Sequence, residues 1–77
     1  MTDQDVMDIA GLLHAEEMKA LQTLIDIRAE VPNSDPDWDV FHAARLIGAQ
    51  QLFDHWHDVK GRFVDEHRET LNRGFGI

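Results

Sequence analysis

Val31-Pro32-Asn33-Ser34-Asp35-Pro36 is the stretch that decides the fold. Pro32 disfavours the α conformation at Val31 and has no N–H to continue a hydrogen-bond ladder, so a helix arriving from the N-terminal side ends near Val31. Asn33 and Ser34 are turn formers, and Asp35-Pro36 places an N-cap residue before a proline at the first helical position. The reading is a turn over 32–35 that separates a helix over about 3–31 from helical sequence over about 36–73, with a short tail at 74–77, all within a single domain spanning 1–77.

Upstream of the turn, Thr2 and Asp5 have the spacing of a capping box in which Asp replaces the usual Glu, and Asp3, Asp5 and Asp8 suit the positive end of a helix dipole. From Val6 a 4-3-4-3 pattern runs through Ala10, Leu13, Glu17, Ala20, Leu24, Ile27 and Val31, interrupted only by Glu17. Met7, His14, Met18, Leu21 and Ile25 lie beside that seam, about 100° further round for each residue step, and widen the apolar face beyond what one partner helix can cover.

Downstream of the turn the apolar face changes direction. Val40, Ala43, Ala44 and Ile47 point one way, whereas Ala49, Leu52, Phe53, Trp56, Val59 and Phe63 form a stripe on roughly the opposite side of an uninterrupted helix. Either the helix breaks near Gly48, giving three helices, or it continues and presents one face to the first helix and the other to a second subunit. At 1.5 Å per residue an unbroken second helix would be about 55 Å long against about 40 Å for the first, leaving an overhang. The expected fold is thus all-α: a long helical hairpin that dimerises into a four-helix assembly, with three helices broken near Gly48 as the alternative.

Composition narrows the class. With 77 residues, 43% of them hydrophobic and including two Trp and four Phe, the chain is apolar enough to fold but near the lower size limit for an unaided core. The absence of Cys removes disulfides, thiolate zinc sites and cysteine nucleophiles. The start Met1-Thr2-Asp3-Gln4-Asp5 lacks the basic-then-apolar order of a signal peptide, and no apolar run approaches the roughly 18 residues of a membrane span, so a cytoplasmic protein without a membrane partner is expected. Fifteen acidic against seven basic side chains give a charge of −8, which disfavours direct nucleic acid binding and favours a protein partner with a basic surface.

The residues that could carry chemistry do not converge on a catalytic pattern. Ser34 is the only serine and sits in the turn, and there is no Gly-rich phosphate loop. Asp37 and Asp39 suit a helix dipole better than a calcium loop, which needs spaced oxygen ligands ending in a bidentate Glu. His42 and His67 read as imidazoles at the edge of the core, and Trp38 and Trp56, five turns apart on one face, as packing residues. Asp54-x-x-His57 is the nearest match to the Glu-x-x-His of carboxylate metal bundles, yet the helical period puts both residues at the edge of the seam or outside it. His14 and Glu17 share the first helix's apolar side at i,i+3 spacing and are the candidate metal ligands, with Lys60, Arg45 or a histidine of the facing helix as ion-pair partners for Glu17 otherwise.

The expected function is a small acidic protein–protein interaction module, an adaptor or inhibitor, one form of which is a nucleic-acid mimic of the phage-inhibitor type. It has no catalytic residues or cofactor, and it works as a homodimer. Its expected interaction surface is Met7, His14, Met18, Leu21, Ile25, Val40, Ala44 and Ile47. The alternative is a carboxylate–histidine metal-binding bundle, a ferritin-like oxidase or metal carrier, holding iron, manganese or zinc through His14 and Glu17.

Overall fold

A computed structural model describes residues 1–74. They form three helices, α1 (Asp3–Arg28), α2 (Trp38–Glu66) and α3 (Arg68–Gly74), with no strand among the described residues. The helix α1 starts on the expected capping box: Thr2 Oγ1 accepts from the Asp5 N–H at 3.1 Å, and the Thr2 N–H donates to Asp5 Oδ2 at 3.0 Å. Two of the orphan donors of the first turn are satisfied in this way.

The end of α1 comes three residues earlier than Pro32 alone requires. Ala29 caps it, its N–H donating to the Ile25 carbonyl oxygen and the Glu30 N–H to that of Ile27, and Val31 lies outside the helix at 80% exposure. Just past this end, Arg45 of α2 donates to both carboxylate oxygens of Glu30. The turn itself is built from two successive Asx turns, in which Asn33 Oδ1 accepts from the Asp35 N–H and Asp35 Oδ1 from the Asp37 N–H, both at 2.8 Å. The expectation that Asp35 caps a helix beginning at Pro36 is therefore corrected. Asp35 uses its carboxylate inside a tight turn, closed by the Trp38 N–H on the Asp35 carbonyl at 3.1 Å, with Pro36 at the second position that such turns favour. Asp37 becomes the N-cap and α2 begins at Trp38.

The helix α2 is continuous through Gly48, so the break expected there is absent; the chain breaks at His67 instead. His67 stacks on Phe63 with ring centroids 4.3 Å apart, and its Nδ1 lies 3.0 Å from the Phe63 carbonyl oxygen, a hydrogen bond when that nitrogen carries the proton. The His67 N–H also donates to the Phe63 and Val64 carbonyl oxygens at 3.1 and 3.2 Å, closing α2, and α3 follows from Arg68.

The core is the seam between α1 and α2. From α1, Val6, Glu17, Ala20, Leu24 and Ile27 are buried; from α2, His42, Leu46, Ala49, Phe53, Trp56, Lys60, Phe63 and His67 turn inward at 4-3-4-3 spacing, with Ala49 buried and the others half-buried. Leu24, Ile27 and Ala49 form its centre, with Leu46 packed against them. At the end where α1 begins, α3 folds over the seam and buries Leu71, while Gly74 lies so close to Met7 that a Cβ there would meet Met7 Sδ at 2.3 Å. A side chain at that position would require the flexible Met7 thioether to shift. The outcome is a rod of 54 × 17 × 17 Å.

Candidate interaction surface

Glu17 is the buried carboxylate on which the middle of the seam turns. It is 5% exposed, and its Oε2 accepts from Lys60 Nζ at 2.8 Å and lies 3.3 Å from His57 Nδ1. The hydrogen bond from Lys60 holds the Glu17 carboxyl below the ordinary glutamate range against the opposing effect of burial, with the charge of Lys60 and the contact with His57 acting in the same direction. Lys60 reaches Glu17 because an inward position of α2 lets its stem lie along the seam, leaving its side chain 24% exposed. Arg45, also a candidate partner for Glu17, is taken by Glu30 near the turn. The Arg45 hydrogen bonds lower the Glu30 carboxyl and raise the Arg45 guanidinium from their ordinary values.

His14 does not meet Glu17 on the seam. It lies on the flank of α1 and lines an open groove of about 510 Å³ together with Met7, Gly11, Lys60, Val64 and Leu71. Among the described residues no three His, Cys, Asp or Glu side chains stand close enough to hold one metal ion. Asp54 accepts instead from Gln50 Nε2 at 2.9 Å, and His57 is 67% exposed on its side chain while still touching Glu17. Of the two core-edge histidines, His67 has the carbonyl contact already described; His42 stacks on Trp38 at 4.4 Å, and its buried Nδ1 lies 3.8 Å from Glu30 without a hydrogen bond.

The eight expected surface residues separate into three stations, two on one flank of the rod and one on the outer face of α2. The flank is marked by two cross-helix contacts, Arg28 to Gln50 and His57 to Glu17. Met7 and His14 belong to the groove at the end covered by α3. Met18, Leu21 and Ile25 form the middle station; Leu21 is half-buried, whereas Met18 is 37% and Ile25 48% exposed. Val40, Ala44 and Ile47 lie toward the turn on the face of α2 turned away from α1, with Val40 67% and Ile47 59% exposed. The helical period places exposed Asp26 on the outer side of the middle station, exposed Arg28 and His57 on its seam side, and Asp54 further round α2. It is an apolar centre with a charged rim.

Comparison with protein-family models, curated proteins and solved structures finds no match.

Sequence reasoning missed Phe41 and Gly48, which extend the turn-end station; Phe41 is 59% exposed, and nothing lies within 4 Å of a Cβ built on Gly48. The signal was present, since positions 41, 44 and 48 repeat at helical spacing. Leu52 was placed on the inward stripe and is 49% exposed, because the true inward positions of α2 step from Ala49 directly to Phe53. The expected tail residues Phe75, Gly76 and Ile77 lie outside the described residues.

Proposed function

We propose that the chain is a non-catalytic protein-binding module whose working surface is the middle station of the rod. One observation carries the reading: Met18 and Ile25 stand exposed beside half-buried Leu21, with charged side chains, Asp26 and Arg28 among them, at the border of the patch. Apolar side chains at the centre with charge confined to the rim is the arrangement of a specific protein interface. With a net charge of −8, the surface steers toward a basic partner and away from nucleic acid and anionic lipid. The matching partner offers an apolar slot bordered by Lys or Arg. If that slot is a nucleic-acid groove, the module acts as an inhibitor by occupying it; otherwise it acts as an adaptor.

The test is a comparison of variants on the same partner. Protein captured from the native host by the wild-type chain should be basic, and Ile25→Lys should weaken its binding by at least about tenfold while leaving the helical spectrum unchanged. Duplex DNA should compete if the partner is a nucleic-acid-binding protein. A partner with an acidic binding surface, or one indifferent to Ile25→Lys and Met18→Lys, would defeat the proposal.

A further inference from the structure

We infer that a second copy of this chain docks on the turn-end station, across a two-fold axis beside Ala44 of α2, independently of the partner surface on α1. The outward stripe of α2 reads Val40, Phe41, Ala44, Ile47, Gly48 and Gln51, without one ionisable side chain. Its continuation toward the other end, Asp54, His55, Asp58, Gly61, Arg62 and Asp65, is ionisable at every position but Gly61. Val40, Phe41 and Ile47 are 67%, 59% and 59% exposed, so the apolar half is uncovered in the single chain.

Three observations favour a copy of the same chain as the occupant. The first is self-complementarity. When two α2 helices lie antiparallel with Ala44 opposite Ala44, Val40 falls level with Gly48 of the copy and Phe41 level with Ile47, so apolar groups meet apolar groups and the axis carries only methyl groups. An isologous interface requires this reciprocity.

The second is charge. Antiparallel placement sends the carboxylate-bearing half of each α2 to opposite ends of the pair, and Asp37 falls level with the neutral Gln51. Two chains of charge −8 approach with least repulsion this way. The third is area. The accessible surface is 5538 Å², whereas a compact monomer of 8.9 kDa has about 4,800 Å². The excess, roughly 700 Å², is close to the ~800 Å² that each partner buries in a standard stable interface.

Sedimentation velocity over about 1 µM to 1 mM tests the inference with charge placed at the axis. Wild type should shift from 8.9 kDa toward twice that mass as concentration rises. Ala44 is exposed, so Ala44→Glu and Ala44→Lys should both fold, as circular dichroism at low concentration will show. Each alone sets like charges against each other across the axis and should weaken the dimer at least about 100-fold. An equimolar mixture of the two should sediment as a dimer again. Wild type that remains monomeric throughout, a charged variant that dimerises as wild type does, or a mixture of folded variants that stays monomeric would each overturn the inference.

Discussion

Glu17 and Lys60 are unequal members of their pair. Glu17 has a short side chain fixed on the seam at 5% exposure, whereas Lys60 keeps 24% of its side chain in solvent and can swing its ammonium out. Removing Lys60 strands a charge, and removing Glu17 releases one. Lys60→Met is therefore expected to cost about 3 kcal/mol and Glu17→Leu less than about 1, with the double variant at least as stable as wild type. Denaturant unfolding that ranks Glu17→Leu below Lys60→Met would contradict this geometry. The pair also sets the acid response: a carboxyl lowered in the folded state contributes stability that is fully present above its unfolded value, about 4.3, and is lost as pH falls through the lower folded value. The stability difference between wild type and Glu17→Gln should thus be constant above about pH 5 and shrink in more acid solution. The same residue tests the metal alternative. Protein purified without a tag is expected to melt alike with and without chelator, whereas stoichiometric iron, manganese or zinc lost in Glu17→Leu would assign His14 and Glu17 as ligands. Glu17 was legible in the sequence as the lone charge on an apolar seam. Lys60 was one of several partners the spacing allowed, and only the register of α2 against α1 selects it.

At the scale of elements, the hairpin was legible because proline, the capping box and the seam of α1 act locally and agree. The interruption of α2 was not. Glycine in a helix costs only about 1 kcal/mol relative to alanine, which packing along the seam readily overcomes, so Gly48 stays helical. The break falls at His67, whose ring stacks on Phe63 and lies against its carbonyl, a contact that no propensity encodes. The open space beside Gly48 and Gly61 leads to a prediction: Gly61→Ala should raise stability by about 0.5–1 kcal/mol, because a helical methyl group there meets nothing. In contrast, Leu24→Ala removes the centre of a thin core and should cost about 2–4 kcal/mol. Melting curves that fail to separate these two variants by sign would mean that the seam is not where stability resides.

The whole molecule is a narrow acidic rod with few buried apolar side chains and several exposed ones along its flank. Its fold class followed from periodicity, but the division of the apolar surface into a groove, a middle station and a turn-end station did not. That division depends on where α1 stops relative to α2, at Arg28 with Ala29 as its cap. The acidic charge gives the proposed function its kinetic signature, since a net charge of −8 accelerates encounter with a basic surface while the apolar centre holds the complex together. Stopped-flow association of the wild-type chain with its captured partner, measured against ionic strength, tests this most directly. The account predicts an association rate that falls by about tenfold or more between low and physiological salt, with a dissociation rate nearly unchanged. An association rate that is flat or rises with salt would contradict it.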